Sequence, residues 1–292
     1  MYKEISANKR KTWLIVALFF VILGVLGWVV SNIYGQPLFI YLAFIVGGVY
    51  ALIQYFAAAK LAISMNGAKK IEKRDNPRFY RIVENLAITE GLPMPKVYII
   101  DDTAPNAFAT GRDPKHAIVC ATTGLLEMMD DDELEAVMAH EMGHVKNYDI
   151  RVMMIVFGLV SAIGFIADMI MWSMWLGGGD EDNPPNPLFM VLGIVAAILA
   201  PFVAFLVQMA VSRRREYLAD STAALTTRYP EALARALEKI RDHGAPMRRQ
   251  NTATAHLFFA NPLKGKSMAS LFSTHPPVQE RINRLREMGT HA

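Results

Sequence analysis

Apolar positions along this chain fall into long unbroken blocks and shorter periodic stretches. From Thr12 to Ala59 no charged side chain occurs, a run longer than the roughly 20 apolar residues that cross a hydrocarbon core once. Turn-forming Ser31, Asn32, Gly35, Gln36 and Pro37 divide it. The pattern predicts a transmembrane hairpin with spans of about Trp13 to Tyr34 and Pro37 to Ala59. Lys9, Arg10 and Lys11 precede the run as they would in a signal peptide. The run is nevertheless longer than the roughly 7 to 15 apolar residues of such a peptide, and a second span follows without an A-x-A-like site. A second pair of spans is predicted at Val152 to Leu176 and Pro187 to Val211, parted by the polar loop that begins at Gly177 and carries Asp180, Glu181 and Asp182. Asp168 alone interrupts these spans. It is read as a carboxylate near the far interface, ahead of a functional intramembrane acid.

The periodic stretches predict the soluble parts. Asn76 and Pro77 mark the cap and first turn of a helix through about Thr89. Lys96 to Ile100, Ala107 to Thr110 and Ala117 to Ala121 are short β-type runs bounded by Pro, Asp and Gly, which predicts a small sheet. Asp130 and Glu133 have capping-box spacing, and Leu134, Val137, Met138, Glu141 and Val145 follow at helical period, so Asp130 to Val145 is a helix. Pro230 to Ile240 and Pro276 to Met288 are helical by period and proline placement. No internal repeat or low-complexity segment is visible. The chain therefore divides into a hairpin at 1–59, a first catalytic segment at 60–151, a second hairpin at 152–211 and a second catalytic segment at 212–292. Basic residues flank the first span at Lys9 to Lys11, the second at Lys69, Lys70, Lys73 and Arg74, and the fourth at Arg213 to Arg215. The positive-inside rule places both termini and both soluble segments on the cytoplasmic face, where they can fold as one domain.

Composition agrees with this map and narrows the function. Of 292 residues, 53% are hydrophobic and 20% charged, with a mean hydropathy of +0.23. That is too apolar for an ordinary soluble domain, and it excludes a disordered chain or a nucleic-acid-binding tail. Cys120 is the single cysteine, which excludes an internal disulfide scaffold and a cysteine-rich metal site. A metal here has to use His, Asp or Glu.

Such a set stands on the helix at Asp130 to Val145. His140 and His144, four residues apart, project from one helical face and can share one metal ion, with Glu141 beside them. A carboxylate in that place can take a proton from a water whose pKa the metal has lowered. Catalytic zinc usually takes three protein ligands and keeps one position open. The pattern H-E-x-x-H-x-x-G-x-x-H does not supply the third, because Asn147 and Ile150 stand at its last two positions. Glu216 is the better candidate. Asp220 lies one turn further on, where it can accept a hydrogen bond from a metal-bound histidine and fix its tautomer. Two spans separate His144 from Glu216, which returns them to the same membrane face, as a shared ion requires.

These residues together resemble the HtpX family of membrane-embedded zinc proteases, whose relatives include the CAAX prenyl proteases. The resemblance covers most of the chain: the opening hairpin, Asn106-Ala107-Phe108-Ala109-Thr110-Gly111, the helix with His140, Glu141 and His144, the paired spans, Glu216 with Asp220, and Ser273-Thr274-His275-Pro276-Pro277 followed by Arg281. It implies a mainly α fold with a small β-sheet, a polytopic membrane protein of four transmembrane helices bearing a cytoplasmic gluzincin-type metalloprotease domain. It implies one Zn2+ per chain on His140, His144 and Glu216, Glu141 as catalytic acid and base, and Asp220 behind a ligand. By the same resemblance, His275 and Arg281 are donors to the oxyanion, and Asn106, Ala107, Phe108 and Ala109 form an edge strand to which an extended substrate adds. It further implies membrane-protein or unfolded-protein substrates, quality control in the cell membrane, and self-cleavage in trans, with no nucleic-acid partner. The rivals are a CAAX-type endoprotease and a non-catalytic membrane chaperone with a structural metal.

Overall fold

The computed structural model describes residues 2–156, 159, 213–250, 254–262 and 276–290. Two long helices open the chain, α1 (Tyr2–Tyr34) and α2 (Leu38–Met65), which pack against each other across a turn at Gly35 with φ 66°. They carry exposed apolar side chains along their length, among them Trp13, Trp28, Ile45 and Leu52.

Both helices differ from the expected spans. α1 begins well before Trp13, and α2 continues past Ala59 to Met65. Among the described residues no single helix is long and apolar enough to cross a membrane. The stretches Ile40–Tyr50 and Tyr55–Met65 meet that standard together, but they are bent by 58° at the break between them. The expected spans at 152–211, with Asp168 and the acidic loop, lie outside the described residues apart from the first turns. Four transmembrane helices are therefore not established here, and the fold is mainly helical with a small mixed sheet.

That sheet has four strands in the order β1-β2-β4-β3, with β1 at Lys69–Lys70, β2 at Lys96–Ile100, β3 at Ala107–Thr110 and β4 at Ile118–Thr122. β2 and β4 run parallel, while β1 and β3 lie antiparallel to their neighbours. Between β1 and β2 lies α3 (Pro77–Glu90), where the Asn76 side chain accepts from the Phe79 amide and Pro77 occupies the first turn, whose amides have no helical partner. It stops at Gly91, whose φ of 65° a side chain would resist.

After β4 come α4 (Thr123–Met128) and α5 (Asp131–Lys146), and a further helix, α6, occupies 149–156. The last described helices are α7 (Arg213–Thr227), α8 (Pro230–His243) and α9 (Val278–Thr290). α5 runs through the middle of this assembly. Its Leu134, Val137, Met138, Met142 and Val145 share one apolar core with Phe79, Val83 and Leu86 of α3, Val119 of β4, Leu233 and Leu237 of α8, and Ile282 and Leu285 of α9. The helix with the candidate ligands is thus buried over most of its length, from Leu134 to Val145 apart from Glu135, which holds its side chains in fixed rotamers.

Candidate metal centre

The N-terminus of α5 is fixed by reciprocal bonds. Asp130 accepts from the Glu133 amide at 2.8 Å, and Glu133 accepts from the Asp130 amide at 3.0 Å. Ten residues on, His140 and His144 stack in an edge-to-face pair with centroids 4.8 Å apart. Helix α7 packs beside them, with Ala219 and Thr222 next to Gly143. This contact brings Glu216 of α7 opposite the histidines.

The three side chains converge. His140 Nε2 and His144 Nε2 are 3.2 Å apart, and they lie 3.7 Å and 3.5 Å from the two carboxylate oxygens of Glu216. Two nitrogens held about 2.1 Å from one tetrahedral ion stand about 3.4 Å apart, so these separations match a shared zinc ion. A donor set of two imidazoles and one carboxylate suits the same ion and leaves a fourth position free. His140, His144, Glu141 and Glu216 are all buried.

Each histidine turns its other nitrogen to a carboxylate. His140 Nδ1 donates to Asp220 Oδ1 at 2.9 Å, and His144 Nδ1 donates to Asp149 Oδ2 at 3.0 Å. Both Nε2 atoms thereby face the centre, where a bound metal would take them as its ligand atoms. Burial pulls the His140 imidazole down to about 4 despite its bond to Asp220. Burial also opposes the charged form of His144, but the Asp149 bond and the charges of Glu216, Asp149 and Glu141 push it up to about 9. Without a metal, the rings therefore do not both ionise.

Asp149 carries no expectation from the sequence, yet it stands to His144 as Asp220 stands to His140. Its position on the chain hides it. Five residues after His144 is off the helical period, and the side chain reaches back only because Tyr148 adopts φ 62° after the helix ends at Asn147. The one available signal was an acid placed between the metal helix and the next apolar block.

Arg281, expected as an oxyanion donor, is buried against Asp220. Its Nε and NH2 donate to the two carboxylate oxygens at 2.9 Å and 2.7 Å, NH1 lies 3.9 Å from Glu216, and the guanidinium covers the Phe259 ring at 5.0 Å. Burial would raise the Asp220 carboxyl, but Arg281 and the bond from His140 hold it at about 2. What the structure shows of Arg281 is an anchor for Asp220. His275 lies outside the described residues.

The expected substrate strand Asn106 to Ala109 does lie at the end of the sheet in β3, but its outer edge is engaged by the chain itself. The Phe259 amide donates to the Ala107 carbonyl at 2.8 Å. The Asn106 side chain exchanges bonds with the Ala260 backbone at 2.7 Å and 2.9 Å, and Phe258 bridges to Phe108. A peptide adding at these positions has to take the place of residues 258–260.

Comparisons with known proteins place this site in a family. The model of Peptidase family M48 matches residues 73–289. A protease HtpX homolog of Tropheryma whipplei (strain Twist) is 55% identical over 291 residues, covering 99% of both chains. Another, from Streptococcus gordonii, is 42% identical over 301 residues, covering 99% of this chain and 100% of its own. The crystal structure of S. mikatae Ste24p is similar with a TM-score of 0.53 at 20% identity, a likeness of fold. That likeness takes in 98% of this chain but spans 65% of the Ste24p chain. The chain belongs to Peptidase family M48, among the HtpX-type proteases, and is a metalloendopeptidase.

Proposed function

We propose that this chain is a membrane-embedded, zinc-dependent endopeptidase that cleaves misfolded or membrane-attached proteins at the cytoplasmic face. The observation that carries the reading is the convergence of His140, His144 and Glu216 within 4.8 Å of one another, with Glu141 on the same helix. A zinc ion on these donors would supply a Lewis acid for the scissile carbonyl and would lower the pKa of water.

The remaining chemistry belongs to side chains. A Glu141 carboxylate oxygen takes the proton of the attacking water and passes it to the leaving amine as the peptide bond breaks. Asp220 and Asp149 keep His140 and His144 in the tautomer that presents Nε2. His275 serves as a donor to the oxyanion, a role taken from its place in the family motif. Residues Asn106 to Ala109 bind the substrate as an added strand once residues 258–260 have withdrawn. The cytoplasmic orientation is supported by the basic flanks Lys9 to Lys11, Lys69 to Arg74 and Arg213 to Arg215. The same reading includes quality control of membrane and unfolded proteins, self-cleavage in trans, and no nucleic-acid partner. A structural metal in a non-catalytic chaperone fits less well, because closed structural sites use four protein ligands.

The test is zinc content alongside proteolysis of an unfolded protein. Glu141→Gln is expected to keep zinc and lose at least about 100-fold in turnover, whereas Glu216→Ala is expected to lose zinc. Near-normal turnover in Glu141→Gln would reject the mechanism.

A further inference from the structure

The first helix reaches the metal centre. Asn8, on α1 just ahead of the apolar block, is 3% exposed, although it is followed in sequence by the charged Lys9, Arg10 and Lys11. Its Nδ2 donates to Asp149 Oδ1 at 2.7 Å and to the Asn147 carbonyl at 2.9 Å. One amide group therefore grips both ends of the turn Asn147-Tyr148-Asp149.

That turn needs holding. Tyr148 lies at φ 62°, a region that a bulky side chain resists, and an alternative turn would carry Asp149 away from His144. Arg215 NH1, 3.4 Å from the same Asp149 oxygen, adds a weaker contact from the residue next to Glu216. Asp149 Oδ2 meanwhile meets His144 Nδ1. The path from α1 to a ligand is two hydrogen bonds long.

We infer that Asn8 is a positioning residue of the metal centre, clamping the 147–149 turn so that Asp149 fixes the His144 ring, which makes metal affinity depend on the segment before the first apolar block. This rests on the metal-centre reading above. It also gives the amino-terminal segment a task beyond anchoring, since a shift of α1 along its axis would loosen one ligand while leaving His140, Asp220 and Arg281 in place.

The experiment measures zinc affinity of the full-length protein in detergent by competition with a chromogenic chelator. Partners behind a metal-bound histidine typically contribute 10- to 100-fold to affinity. Asp149→Ala is expected to lose that much, and Asn8→Leu, which keeps volume and removes the donor, about tenfold. The double variant should be no weaker than Asp149→Ala alone, because Asn8 acts through Asp149. Asn8→Gln, which keeps the donor, should recover most of the affinity. With cobalt substituted for zinc, Asn8→Leu should alter the ligand-field absorption, which a general loss of stability would not do. Unchanged affinity in Asn8→Leu, or losses that multiply in the double variant, would overturn the inference. Asn8→Ala enters the same cycle if Asn8→Leu does not accumulate. His144→Ala separates the two readings: if it binds zinc normally, the metal centre itself is misassigned, and if it loses zinc while Asn8→Leu does not, the role of Asn8 alone fails.

Discussion

Arg281 and Asp220 form a two-pronged ion pair, Nε to Oδ2 at 2.9 Å and NH2 to Oδ1 at 2.7 Å, with both side chains buried. Asp220 is at the same time the acceptor for His140. The terminal helix α9 is thus tied through one carboxylate to the ligand helix α5. Removing one partner of a buried pair leaves the other charge uncompensated, so Arg281→Ala is expected to cost about 3–5 kcal/mol. Arg281→Lys keeps the charge and loses the planar fork, and it should fall between. Denaturant unfolding measures both. Equal stability of Arg281→Ala and the parent would show that the pair does not hold α9.

The same carboxylate makes stability depend on pH. Asp220 titrates near 2 in the folded protein, below its ordinary 3.8. A carboxyl depressed by folding stabilises fully above its unfolded value, and the contribution is lost as pH falls through the folded one. About 2 kcal/mol should therefore be present at pH 5 and above, mostly lost near pH 2 and gone by about pH 1. Unfolding of the metal-free protein and of Asp220→Asn, followed from pH 6 downward, should show a gap that narrows with acid. A gap of constant width would mean that Asp220 is not charged in the folded state.

How much of this was readable from the sequence depends on the range of the interaction. The capping box of Asp130 and Glu133, the cap at Asn76, the strands at Lys96 and Ala107, and the histidine pair of α5 are local, so residue type and period suffice to place them. Helix α9 begins two residues later than Pro276 suggested, since Pro276 and Pro277 precede the first helical turn. Strand β1 escaped because it is only Lys69 and Lys70, two exposed residues joined to β2 by backbone bonds with no apolar alternation. Asp149 escaped because a left-handed Tyr148 carries it back to His144. Neither Asn8, which is 139 positions away from Asn147, nor the pairing of Phe259 with Ala107 leaves any mark in composition or spacing.

Orientation can be tested with single cysteines, because the native Cys120 is completely buried and gives little background in the folded protein. If the basic flanks face the cytoplasm, a thiol reagent confined to the outside should label a cysteine placed at Gly178 and spare one at Ser273. The positive-inside rule counts lysine and arginine near span ends, and the loop at Gly177 to Asn183 has neither. The reverse labelling pattern would move the catalytic segments to the other face and reject cytoplasmic cleavage.

Glu133 offers a contrast to Arg281, because it stabilises the ligand helix without touching the ligands. Its carboxylate is 1% exposed, closes the capping box with Asp130, and pairs with Lys239 at 2.5 Å and Arg235 at 3.4 Å. Both cations are on α8 and partly exposed, so loss of Glu133 lets them turn to water instead of stranding a buried charge. A capping interaction contributes about 1 kcal/mol and bonds to a charged group about 1.5–3 kcal/mol each before such relief. Glu133→Ala should therefore cost about 2 kcal/mol, less than Arg281→Ala. His140 lies seven residues further along α5, about two helical turns away, and is itself buried. Zinc affinity of the folded Glu133→Ala protein should stay within about threefold of the parent, since outer partners of a ligand, and not remote helix caps, set that quantity. A tenfold loss of affinity would show that fraying at the start of α5 propagates to the histidines, and that the helix does not act as the rigid element assigned to it here.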